Sequence, residues 1–395
     1  MPLGLPYLPD WGLRLEKARE LNWGAMGSLV WLCSMAPLAA ILMPVLIPVI
    51  QATHDLSPVE LGLLASADLA GACIATVTAP LWLHHLGARG GTLLGIATLI
   101  AANTLGALSP SVTALLTTRL VAGLGTGLVL SSAIPVVARS LQPARLVSAI
   151  QVMQLLLAAG ALAGSGWLLS QGGASLVLLA VVGVSIFSLP FAFLLPPRSS
   201  VSAAALPTLE QLRPGAAVLV AILVYFAAVG MLTNYGGKLG LQSGLSIGMV
   251  SSALALANLG ALPGSFVAMF AGSAERRRRF LIAVCIIQCL AIGVVLLVSG
   301  ATAFGLGFFA IQMSIAIVAP LQVALLVDRD PSGRAIEGLA AMQSLGQAAG
   351  PLLGALFITA ANVDGAYGLG VACVILSLLL MTGGVARRPG FPPAA

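Results

Sequence analysis

Two ionisable side chains, Asp68 and Arg119, stand inside long apolar runs of the chain. A carboxylate in such surroundings feels two opposing effects: loss of water disfavours its charged form, and a neighbouring guanidinium favours it. A group balanced between them takes up and releases a proton as its access to water changes. That is the requirement of proton coupling, with Asp68 as the carrier. Arg119 would then regulate it or supply the counter-charge for an anionic solute. The competing reading is a static buried pair, or side chains that cap backbone carbonyls. Uncharged polar residues make a second tier: Asn103, Gln151, Gln154, Asn258, Gln288, Gln312, Gln322, Gln343 and Gln347, with Asn234, Tyr235 and Lys238 grouped further on. Each could hold a solute or tie one helix to another. Trp31 and Trp167 could stack on a substrate, whereas Trp82 sits where an interface anchor would.

The elements that carry these groups follow from composition. The chain has 395 residues, 59% hydrophobic and 8% charged, where soluble proteins carry about 25% charged residues. With mean hydropathy at +1.06, no soluble fold hides this much apolar surface, because a globule needs polar cover. The bilayer is the solvent. Disorder, a disulfide scaffold and a soluble nucleic-acid binder are excluded together. A spanning helix needs roughly 20 apolar residues. Runs of that length fall at 26–50, 58–82, 90–109, 112–137, 147–170, 174–196, 214–235, 246–271, 279–299, 301–327, 336–360 and 364–385. Turn residues separate them, among them Ser57-Pro58, Gly87, Gln171-Gly172-Gly173 and Asp364-Gly365. The runs are apolar all round rather than alternating, so they are helices and not barrel strands. The expected class is an all-α integral membrane protein with twelve transmembrane helices in two pseudo-symmetric six-helix bundles.

Charge sets the orientation. With the amino end inside, every Lys and Arg of the 18 except Lys238 and Arg119 falls in a cytoplasmic segment. The Arg276–Arg279 run and Arg387-Arg388 are among them, and they hold those loops against anionic headgroups. Both termini are expected in the cytoplasm, and the protein in the cell (inner) membrane. Met1 to Asn22 is polar and has no cleavable-signal pattern; Asp10 to Asn22 reads as an amphipathic helix on the membrane face. The expected organisation is an amino-terminal segment 1–25, a first bundle 26–196, a central loop 197–213, a second bundle 214–385 and a tail 386–395.

The two bundles are copies of one unit. A shift of 190 residues lays Leu64, Ala65, Ala67, Asp68 and Leu69 on Leu254, Ala255, Ala257, Asn258 and Leu259. It also lays Arg89 on Arg279, and Ala158, Ala159, Gly160 and Gly164 on Ala348, Ala349, Gly350 and Gly354. An even number of spans per copy makes this a parallel repeat about an axis along the membrane normal. Two such bundles enclose a cleft that opens to either side in turn. Asn258 keeps the hydrogen bonding of Asp68 without its charge, so only the first copy could carry a proton there.

On these grounds the chain resembles the major facilitator superfamily of secondary transporters. Arg119-x-x-x-Gly123-x-Gly125-x-Gly127 is similar to the family's fourth-helix motif. The loop between spans two and three matches the family at Gly87 and Arg89, but His84 stands where the family has an aspartate. His84 and His85 could make that gating contact pH-sensitive, or be plain interfacial side chains. The resemblance implies that the first, fourth, seventh and tenth helices line the cavity, which favours Gln312 and Gln322 over Asn103 or Gln288 as substrate ligands. Gly160-x-x-x-Gly164 and Gly350-Pro351-x-x-Gly354 predict close helix approach in spans five and eleven, with Pro351 able to bend its helix. The Gly-Pro pair of the family's antiporter signature is absent, since Ala161 follows Gly160.

Other functions find no residues. There is no GxxxxGK[ST] for a pump and no clustered His, Asp, Glu or Cys for an enzyme. Cys33, Cys73, Cys285, Cys289 and Cys373 sit in apolar runs without a metal-site pattern. No cofactor, metal or nucleic acid is expected; the partners are a small-molecule substrate, protons and the lipid bilayer, with the chain a monomer. Within transport the readings are proton-coupled export of small amphipathic compounds, or uptake or facilitated passage of an organic anion. A non-transporting membrane sensor is a third.

Overall fold

The computed structural model describes residues 21–54, 56–109, 111–196, 215–268, 270, 274–330, 334–359 and 362–383. Residues 10–20 of the amphipathic helix expected over 10–22, the central loop 197–213 and the tail 386–395 lie outside the described residues.

The described chain is helical and contains no β-strand. The helices are α1 (Trp23–Met35), α2 (Leu38–His54), α3 (Pro58–Val77), α4 (Ala79–Ala107), α5 (Val112–Ala138) and α6 (Pro143–Phe193). These are followed by α7 (Ala216–Asn234), α8 (Gly236–Gln242), α9 (Ile247–Asn258), α10 (Ala261–Ala268), α11 (Ala274–Leu297) and α12 (Ala301–Arg329). A 3₁₀ turn (Arg334–Gly338), α13 (Leu339–Ala355) and α14 (Asp364–Gly383) complete the chain. Helix starts carry the expected chemistry. Ser57 and Glu60 form a capping box with Pro58 in the first turn, and Ser111 and Ser246 cap α5 and α9 through their hydroxyls.

Ten helical stretches among the described residues are long and apolar enough to cross a membrane, against the twelve expected. The difference lies in two places. Helix α6 runs for 51 residues, which at 1.5 Å per residue would be about 75 Å, more than twice the ~30 Å hydrocarbon core. It is two helices joined at Gly172 and Gly173, where Gly173 takes φ 63°, a conformation open to glycine without strain. Helix α13 has 17 residues, short of a full span by the same measure. Other spans are subdivided: Ala36-Pro37 separates α1 from α2, and Leu259-Gly260 separates α9 from α10. The stretch from Leu83 to Leu86, between the expected second and third spans, is helical up to Gly87, which breaks α4 at φ 66°.

The first bundle holds α1–α6 and the second α7–α14. They meet chiefly through α3 on α13 and α6 on α9. Three close approaches between them lie in the half of the spans remote from the arginine-bearing ends. Gly62 of α3 abuts Pro351, Leu352 and Ala355 of α13. Gly166 of α6 abuts Gly248 and Ser251 of α9. Gly237 of α8 lies so close to the Pro44 carbonyl of α2 that any side chain would overlap it. The bundles are thus shut against each other at that end.

Candidate functional site

Helix α5 presses onto its neighbours through its glycine series. Gly123 abuts the Asp68 carbonyl and Gly127 abuts Ala72, both on α3, while Gly125 abuts Gly95 and Leu99 on α4. This packing brings Asp68 to Arg119, with Nη1 of the arginine 3.8 Å from Oδ2 of the carboxylate. Both side chains are sealed, at 3% and 0% exposure. Arg119 Nη2 donates to Asn103 Oδ1 at 2.8 Å, and Asn103 Nδ2 donates to the Leu99 carbonyl at 2.8 Å. Neither oxygen of Asp68, nor Nε or Nη1 of Arg119, has a hydrogen-bond partner among the described residues. The pair therefore rests on charge attraction at a distance beyond direct hydrogen bonding. Breaking a buried pair of this kind costs about 3–5 kcal/mol, because the survivor is stranded without water.

A cavity of about 310 Å³ lies between the bundles. The first bundle contributes Pro37, Ala40, Ile41, Met43, Pro44, Ala65, Leu69, Gln154 and Leu162. The second contributes Val229, Gly230, Thr233, Asn234, Leu254, Ala257, Asn258, Phe308, Gln312 and Gln347. None of these lining residues is charged. Asn258 and Gln312, two of the expected ligands, face it together, with Gln312 Nε2 3.4 Å from Asn258 Oδ1. Asn258 Nδ2 also reaches across to the Leu155 carbonyl of α6 at 3.4 Å.

The other expected ligands lie elsewhere. Asp68 and Arg119 are not in the cavity wall, although Ala65 and Leu69 on either side of Asp68 are. Gln322 is fully buried, and its amide has no partner among the described residues. Trp31 points away from the cavity: its Nε1 donates to Ser188 Oγ at 2.8 Å, and its ring packs on Phe187 and Phe191 of α6. Trp167 is exposed on the outside of the bundle. Gln154, Asn234 and Gln347, by contrast, do line the cavity. Their sequence signal was only that of an amide or carboxamide in an apolar run, with nothing to show which way it turned.

The candidate gating residues divide in the same way. His84 and His85 are exposed with ring centroids 3.7 Å apart. Arg89 donates through Nε and Nη2 to the Leu195 carbonyl, at 3.0 and 2.8 Å, which ties α4 to the end of α6 within its own bundle. The close approach expected at Gly160 and Gly164 is not there: both are exposed, with no neighbour where a side chain would stand. The contact falls on Gly166, about 200° further round the helix than Gly164 at 100° per residue. Gly350 packs on Ala227, Gly354 on Met231 and Tyr235, and the Pro351 carbonyl accepts the Tyr235 hydroxyl at 2.6 Å. The α13 motif therefore fixes that helix to α7.

Fold and site together are those of a membrane carrier built from two bundles around one central cavity. The sequence profile of the Major Facilitator Superfamily matches residues 29–336, and the chain belongs to that family. No curated protein matches the chain by sequence. Solved structures resemble it closely in fold. The nucleoside transporter NupG superposes with TM-score 0.72 at 13% identity, over 91% of this chain and 98% of its own. The xylose transporter XylE from E. coli, in a partially occluded inward-open conformation, gives 0.72 at 11%, over 93% and 99%. A bacterial homolog of the human lysosomal transporter Spinster, inward-facing and unoccupied, gives 0.70 at 14%, over 94% and 98%.

Proposed function

We propose that this chain moves a small, uncharged amphipathic solute by alternating access, and that it exports the solute in exchange for protons. The observation that carries this reading is the cavity itself, which lies between two bundles, is shut at one end by main-chain contacts and is lined without a single charge. On our reading the chain crosses the inner membrane twelve times as a monomer, with its arginine-bearing ends and both termini in the cytoplasm. The cavity then faces the cytoplasm in this conformation. Apolar walls recruit solutes that partition into lipid and leak inward unaided, so a useful carrier for them works outward.

The proton route rests on Asp68. When the bundles part at the outer end, α3 loses its support from α13, water reaches the carboxyl group, and a proton binds. Protonation removes the attraction to Arg119, which stays held by Asn103. Closure at the outer end returns the carboxyl group to the cytoplasmic side, where the proton leaves and the pair re-forms. One proton enters for each solute released. An organic-anion carrier would need Arg119 in the cavity wall, which it does not line.

The test is flux in reconstituted vesicles driven by an imposed pH gradient, comparing wild type with Asp68→Asn. Equal responses remove Asp68 from the coupling. No flux of any neutral solute in wild type removes the transport reading.

A further inference from the structure

Helix α2 carries two prolines inside its span, Pro44 and Pro48. A helical carbonyl accepts from the N–H four residues further on, and proline has none to give. Pro48 therefore leaves the Pro44 carbonyl without its helical partner, and the proline ring crowds that oxygen away from the axis. No backbone donor from another segment reaches it among the described residues. It meets Gly237 of α8 instead, a buried residue whose Cα–H points at it. The same arrangement occurs inside the second bundle. Pro351 leaves the Gln347 carbonyl of α13 without its partner, and Gly230 of α7 lies against that oxygen. Gly230 and Gly237 stand about two turns apart along α7 and α8.

The two contacts differ in what they join. Gly230 and Gln347 belong to one bundle, so their contact persists. Gly237 and Pro44 belong to different bundles, so theirs is broken whenever the bundles part at that end. Magnitude decides which way this acts. A buried acceptor without a donor is penalised by more than a Cα–H contact returns. Parting the bundles lets water supply the donor that Pro48 withholds. We propose that Pro48 is a positioning residue of the outer gate. It leaves in the closed seam an acceptor that is satisfied when the seam opens, and so holds the gate close to balance. Gly237 is its counterpart, because the absence of a side chain there lets the seam close over that oxygen. This rests on the alternating-access reading above and adds what sets the ease of the outer opening.

The test uses the full chain in detergent with its five cysteines replaced by alanine. Spin labels on Thr53→Cys of α2 and Leu241→Cys of α8, both exposed at the shut end, report the distance between the bundles by double electron–electron resonance. Wild type is expected to show a short distance and a minor longer one. Pro48→Ala restores the N–H, so the longer population should fall by about three- to tenfold, the acceptor penalty less the lost Cα–H contact. Pro48→Ser supplies the same N–H and should do the same. Gly237→Ala puts a methyl group against the Pro44 carbonyl and should shift the balance the other way. Pro190→Ala, at a helix proline on an exposed face of α6, should leave both distances as they are. Melting temperatures report whether each variant folds, and the two Pro48 variants decide the matter if Gly237→Ala does not. A longer population that both Pro48 variants leave unchanged or increase overturns the proposal, and so does a Pro190→Ala variant that shifts it equally. A single short distance in wild type and every folded variant overturns the alternating-access reading beneath it. Bundles that part without regard to Pro48 overturn the proposal alone.

Discussion

The two bundles place related residues to opposite ends. Asp68 in the first and Asn258 in the second occupy the same position of the repeat. Asp68 is turned into its own bundle and sealed against α5 and α4 by Arg119 and Asn103. Asn258 stands in the cavity wall beside Gln312 and touches the opposite bundle. The cause is local. Helix α3 runs unbroken from Pro58 to Val77, and Gly123 lets α5 close directly over it. Helix α9 ends at Asn258, ahead of the Leu259-Gly260 turn, and the residues matching Arg119 and Gly123 are Phe309 and Met313. The two copies of one scaffold thus differ: one has an ionic interior, and the other turns neutral polar groups towards the cavity.

The contrast can be broken most forcefully at Arg119. Arg119→Ala strands the Asp68 carboxylate, and a loss of about 3–5 kcal/mol is expected, read as a large drop in thermal stability in detergent. Neutralising both partners, Asp68→Asn with Arg119→Gln, should recover most of it. Gly123→Val forces α5 off α3, for about 1–3 kcal/mol of overpacking, with loss of the folded species on size exclusion as the coarse readout. Asp68→Asn gives the first bundle the side chain of the second. Gradient-driven flux should fall by about tenfold or more, ~1.4 kcal/mol in barrier terms, while solute counterflow without a gradient persists. Gln312→Ala, in the neutral bundle, should cost only about 0.6 kcal/mol in stability, the average for a hydrogen bond between membrane helices. A cost as large as that of Arg119→Ala would abolish the distinction between the bundles. Gly160→Ala adds a methyl group to an open face and should stay within about 0.5 kcal/mol of wild type in the same melts.

Much of this arrangement is legible in the residues alone. Asp68 stands about ten residues into the run from Pro58 and Arg119 about seven into the run from Val112, which at 1.5 Å per residue puts the two charges at similar depth, and the cost of isolating either in lipid favours their meeting. Gly87 and Gly172-Gly173 mark chain reversals without reference to any neighbour. What the residues do not carry is rotation. In water, an amphipathic stripe shows which face of a helix is buried. Here lipid and protein interior are equally apolar, so no stripe distinguishes them. That is why Gln154 and Gln347 were no more prominent than Gln322, why Trp31 proved to face α6, and why the approach expected at Gly164 is found at Gly166. Breaks inside a span are hidden for the same reason: Leu259-Gly260 interrupts an apolar run without altering its character.

The meeting of Gly237 with the Pro44 carbonyl has a bearing on the medium at that end of the bundles. Bare main chain touching main chain has nothing to titrate, and ions in solution find no net charge at that contact to screen. The contact itself is accordingly as tight in brine as in dilute buffer, and what salt can act on at that end is the neighbouring Lys238 ammonium, held on the Thr359 carbonyl.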